Sequence, residues 1–175
     1  MSLITKINIA PIVRAHLVTL RDARLTAETL LANDVYLFYG VPCLFGLLSL
    51  VVIPTEALIN VLVTSLSVFA ALLFNLLMLV LSVIEKRKGN KVFFQLQRET
   101  YANISYAILV ALITVALLLI PYFYAFTSAP TDPPTTGQRV FWGAIYFLLV
   151  NFGLTMAMIL RRMHAILVKL IDIDD

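Results

Sequence analysis

Charge is what this chain has least of. Asp, Glu, Lys and Arg make up 13% of its 175 residues, against 61% hydrophobic residues. A soluble domain carries about 25% charged residues. The few charges avoid four apolar stretches, 35–53, 58–84, 101–126 and 140–160, which also hold no histidine. Proton pumps, ion-coupled transporters and voltage sensors place ionisable groups inside their spans, so that emptiness argues against all three. Cysteine is nearly absent too. Cys43 stands alone, which excludes an intrachain disulfide and a Cys-based metal site and leaves a small buried apolar residue as its expected role. There are two histidines, His16 and His164. HExxH, a nucleophile elbow and a Walker loop are all missing. Arg161, Arg162 and His164 lie together, but more tightly spaced than a nuclease-like Arg-His pair, and they read as a basic anchor at lipid headgroups. Asn103-Ile104-Ser105 spells a glycosylation acceptor at the cytoplasmic end of a span, where it has no use. No catalytic residue, metal ligand or cofactor is expected, and the chain reads as non-enzymatic.

What is present is hydrocarbon-compatible length. A spanning helix needs about 20 apolar residues, and each of the four stretches approaches or exceeds that. With a mean hydropathy of +0.96, the expected fold is all-α and polytopic, with four transmembrane helices and an N-terminal amphipathic helix. The expected organisation is an interfacial segment 1–34, a transmembrane domain 35–160 and a tail 161–175. Residues 1–34 are too polar for a cleavable signal peptide, so the first span is expected to act as the insertion signal. All but one of the 13 Lys and Arg fall in the N-terminal segment, the middle loop or the C-terminal end, and Arg139 is the exception. The positive-inside rule then places both termini and the middle loop in the cytoplasm. Tyr122, Phe123, Tyr124 and Phe126, with Phe141, Trp142, Tyr146 and Phe147, fit an outer aromatic belt, and Tyr36, Phe38 and Tyr39 an inner one.

Smaller features refine this. Pro11 suits a helix start. Ile12, Val13, Leu17 and Leu20 recur at helical spacing opposite Arg14, Arg21, Asp22 and Arg24, so this helix either lies along the inner leaflet or packs on the protein. Asn33 or Asp34 is a candidate cap for the first span, and Pro42 should kink it. The outer loops, "IPTE" and "TSAPTDPPTTGQ", are a turn and an extended linker. The basic loop 85–100, with Lys86, Arg87, Lys88, Lys91 and Arg98, joins Arg161 and Arg162 as cytoplasmic contacts. It suits anionic lipid, a cytosolic protein, RNA, or the acidic tail "DIDD". A cytosolic protein partner through this loop or the N-terminal segment is one expectation; a specific nucleic acid is not.

The second stretch carries the sharpest pattern. Asn60, Thr64, Ser67, Ala71, Asn75, Met78 and Ser82 recur at steps of three and four, within about a quarter of the helix circumference. An unpartnered amide in hydrocarbon costs several kcal/mol, so the stripe should face another helix or water. Asn103, Ala107 and Thr114, and Asn151, Thr155 and Met158, form narrower stripes on the last two spans. Two uses follow: packing of a tight four-helix bundle, or lining of a pore in a homo-oligomer.

Two spans, a basic loop and then "RETYANISYAILVALITVALLLI" from Arg98 to Ile120 resemble, in layout, small four-span membrane proteins of prokaryotic antiphage systems. These include RexB-type ion channels, the membrane subunit of Kiwa and CRISPR-associated small membrane proteins. The resemblance implies a membrane effector that depolarises the cell, or a sensor and scaffold that recruits a soluble defence partner. It carries over no functional residue.

Overall fold

The computed structural model describes residues 8–20, 36–52, 54–86, 91–124 and 135–174. Among them every regular element is helical. Helix α1 (Ala10–Thr19) begins with Pro11 in its first turn, and Asn8 Oδ1 accepts the Ala10 N–H at 3.0 Å. A π turn (Tyr36–Gly40) leads into α2 (Val41–Gly46), which leaves through a 3₁₀ turn (Leu47–Leu50). Three long helices follow, α3 (Glu56–Lys86), α4 (Lys91–Tyr124) and α5 (Thr136–Asp174). Thr55 Oγ1 accepts the Leu58 N–H at the start of α3. A reciprocal capping box opens α5: Thr135 N–H donates to Gln138 Oε1 at 2.9 Å, and Gln138 N–H to Thr135 Oγ1 at 3.3 Å.

Three helices are long and apolar enough to cross a membrane, over Glu56–Ser82, Gln97–Pro121 and Thr136–Val168. At about 1.5 Å per residue, each exceeds the roughly 30 Å of a hydrocarbon core. The fourth apolar stretch is not one continuous helix but the broken segment Tyr36–Leu50, which is shorter. The reason lies at Pro42. Proline has no N–H to donate in the α register, and its ring collides with the carbonyl four residues back, here that of Phe38.

The helices pack as a row ordered α3, α4, α5, α2, with α1 laid on α4. This departs from a closed four-helix bundle. Among the described residues α3 and α2 have no backbone contact, although adjacent helix axes sit about 8–10 Å apart. The short link Val51–Thr55 reaches only about 20 Å, so the row has to curl. Helix α4 is its centre, with Ile104, Ala107, Ala111, Thr114 and Leu118 fully buried. At the α2–α5 crossing two glycines meet. A Cβ on Gly46 would stand 3.1 Å from the Gly143 carbonyl oxygen, and one on Gly143 equally close to the Gly46 oxygen and to Ser49 Oγ. Small residues permit this approach. The outward carbonyls of the broken segment are capped from α5: Arg139 Nη1 donates to Leu50 O at 3.2 Å and Tyr146 Oη to Val52 O at 3.4 Å. That gives Arg139, the one basic residue apart from the other clusters, a local role.

Three expectations change. Lys91–Arg98 is the first part of α4, not loop, because no breaker separates it from the apolar run. Trp142 is buried in the core beside Ile145 instead of sitting in an outer belt. Cys43 is exposed. The proposed caps Asn33 and Asp34, the basic residues Arg87 and Lys88, most of the outer linker, Phe126, and the side chains of Lys86, Lys91 and 122–124 lie outside the described residues.

Candidate functional site

The α3 stripe lands on one surface. Asn60, Thr64, Ser67, Ala71, Asn75, Met78 and Ser82 are all exposed, while Ile59, Leu66, Ala70, Leu73 and Val80 are buried on the side facing α4. The hydroxyls turn back on their own helix: Thr64 donates to Asn60 O at 2.9 Å, Ser67 to Val63 O at 2.7 Å and Ser82 to Leu79 O at 2.8 Å. They are satisfied in lipid and in water alike. Asn75 is different: among the described residues its amide makes no hydrogen bond. Among the described residues no neighbouring helix covers it.

Asn151 and Thr155 do not join this surface. Both are buried between helices. Asn151 Nδ2 donates to the Phe38 carbonyl at 3.1 Å, its Oδ1 accepts from Tyr106 Oη at 3.0 Å, and Thr155 donates to Asn151 O at 2.9 Å. Asn151 thus supplies Phe38 with the hydrogen bond that Pro42 cannot. These side chains serve interhelix packing, and the two halves of the expected polar set are separate.

A second polar site forms where α1 meets α4 and α5. His16 is 1% exposed and stacks flat on Tyr106, with ring centroids 3.8 Å apart and planes 3° from parallel. Phe38 meets its edge at 6.1 Å. His16 Nδ1 lies 2.9 Å from Asn103 Oδ1. With the oxygen so placed, Nδ1 carries the proton and donates. The Thr19 hydroxyl is 2.7 Å from both Asn103 Oδ1 and His16 O, so its one proton is shared between two acceptors. Arg162 Nη2 donates to Thr19 O at 2.7 Å, a cation at the C-terminal end of α1. Its Nη1 is 3.2 Å from Glu99 Oε2, an ion contact without the alignment of a hydrogen bond. Among the described residues, buried Gln97 Oε1 and Asn103 Nδ2 have no hydrogen-bond partner. Burial pushes the His16 pKa down from 6.5, the Asn103 hydrogen bond opposes this, and the Arg162 charge lowers it further.

This site bears on two readings. Arg162, expected among the cytoplasmic contacts, is half-buried and turned to Thr19 and Glu99, whereas Arg98 and Arg161 are exposed. Helix α1 packs on the protein through Ile12, His16, Thr19 and Leu20, with Leu17 and Val18 outward. The row Ile12–His16–Leu20 at i, i+4 and i+8 was a sequence signal for this face. Cys43 lines a shallow apolar groove of about 490 Å³ with Tyr36, Val41, Leu44 and Leu47. Among the described residues no three His, Cys, Asp or Glu lie close enough to hold a metal ion.

No family model, curated protein or solved structure matches this chain.

Proposed function

We propose that the chain is a non-enzymatic protein of the bacterial inner membrane that works as a closed homo-oligomer and permeabilises that membrane as an effector of antiphage defence. In this reading the broken segment is the fourth span, both termini are cytoplasmic, and the α3 stripe lines a water-filled path between subunits. The carrying observation is the exposed α3 stripe with Asn75 uncovered. An amide facing hydrocarbon costs several kcal/mol, and a neighbouring copy or a column of water removes that cost. Closed cyclic symmetry is the common way to give each copy the same neighbour. The defence context rests on the resemblance in layout.

The test is Asn75→Leu, close to isosteric, expressed beside the wild type. The oligomer mass in mild detergent should be unchanged while membrane depolarisation on overexpression is lost. Normal depolarisation by an intact Asn75→Leu oligomer removes the pore. A wild-type chain that never depolarises, with the exposed Ile9, Leu17 and Val18 on and beside α1 capturing a cytosolic protein, supports the second reading, a membrane sensor and scaffold.

A further inference from the structure

We infer that α1 is an acid-released latch: protonation of His16 frees α1 from α4 and α5 and so loosens the first apolar segment. The latch stands on the contacts of α1 and does not require the pore.

His16 is the centre of the docked face. Its ring is sandwiched on Tyr106, edged by Phe38 and tied to Asn103. Among the described residues, the charged and titratable groups around it offer no room for a second cation. From α5 comes Arg162, already held by Thr19 O and Glu99, with Arg161 and His164 exposed. From α4 come Glu99, engaged with Arg162, Tyr106 and the half-buried Tyr101, with Arg98 exposed. The π turn offers Tyr39, half-buried, and α1 itself only Arg14, exposed. An imidazolium here would therefore be buried beside an arginine, with the nearby carboxylate in use. The undocked ring has neither burden.

The sign follows from linkage. The docked pKa of His16 lies below 6.5. Docking is fully stable above 6.5, weakens as pH falls below it because the undocked ring takes up the proton first, and levels off below the docked pKa. In that window the docking equilibrium falls by about tenfold per pH unit.

Release would propagate along bonds already named. Tyr106 loses its stacked cover, and Tyr106 is bonded to Asn151, which holds the Phe38 carbonyl at the Pro42 break. Acid on the α1 side of the membrane thus reaches the π turn at the Pro42 break.

The experiment uses the full chain in nanodiscs, Cys43→Ala, with spin labels on cysteines at the exposed positions Val18 and Leu160, diluted with unlabelled chain. At about pH 7.5 we expect one distance, and at about pH 5 a second, broader population that disappears when pH is restored. His16→Gln, which can still hydrogen-bond Asn103 but cannot ionise, should keep the single distance at both values. His164→Gln should respond like wild type. Unchanged wild-type distances in acid, or an equal response from His16→Gln, overturn the latch. If His16→Gln fails to assemble, imidazole ¹⁵N shifts in His164→Gln decide. A His16 midpoint that coincides with the distance change supports the latch, and titration without movement refutes it.

Discussion

Asn151 and Pro42 are coupled through the Phe38 carbonyl, which Asn151 Nδ2 bonds and Pro42 cannot. Replacing Asn151 by Leu strands the Phe38 carbonyl and the Tyr106 hydroxyl. An unsatisfied buried group costs about 1–3 kcal/mol. We expect Asn151→Leu to lower stability by that amount in detergent unfolding. Pro42→Ala restores an N–H that can reach Phe38, so the same Asn151→Leu change should cost less in that background, a double-mutant coupling of about 0.5–3 kcal/mol. Strict additivity would mean that the amide is not a substitute for the missing backbone donor. Pro42 itself was readable as a kink. Its partner was not, because Asn151, Thr155 and Met158 read equally well as one stripe among several, and only the packing distinguishes a capped carbonyl from a wet face.

Among the elements, α2 and α5 touch most closely at glycine. Gly143→Ala would drive a Cβ to 3.1 Å from the Gly46 oxygen, which is backbone and cannot swing aside. Gly153, exposed on the same helix, has nothing within 4 Å of an added Cβ. Gly143→Ala should therefore destabilise, by about 1–3 kcal/mol, while Gly153→Ala should stabilise by about 0.5–1 kcal/mol through helix propensity. Chemical denaturation of the pair in one detergent checks the contrast; equal effects would refute it. The long helices were legible from composition, and α1 from Pro11 and its periodicity. The cap Thr135-x-x-Gln138 was equally present in the sequence, hidden in a Pro- and Thr-rich stretch that reads as linker. The broken first segment was half-legible: its length suggested a span, but a π turn needs a partner from elsewhere to hold it. The α1–α4 site was least legible, since His16, Asn103 and Tyr106 are apart in sequence and each has an ordinary role alone.

At the scale of the molecule, orientation is a prediction of charge. In a Cys43→Ala background, a cysteine at Thr136 should react with an impermeant thiol reagent added to intact cells, and one at His164 should not. Both positions are exposed. The reverse pattern would invert the topology. The row order has a consequence in time. The broken segment precedes α3 in the chain yet packs on α5, so during synthesis it is made well before Asn151, Arg139 and Tyr146 exist to bond the carbonyls of 38–52. It is made early and settled last. A nascent chain interrupted before Thr136 would lack the donor that meets the Phe38 carbonyl at the Pro42 break, whereas α3 and α4 would already have each other to pack on. The broken segment can take its final bonds only once the last helix is made.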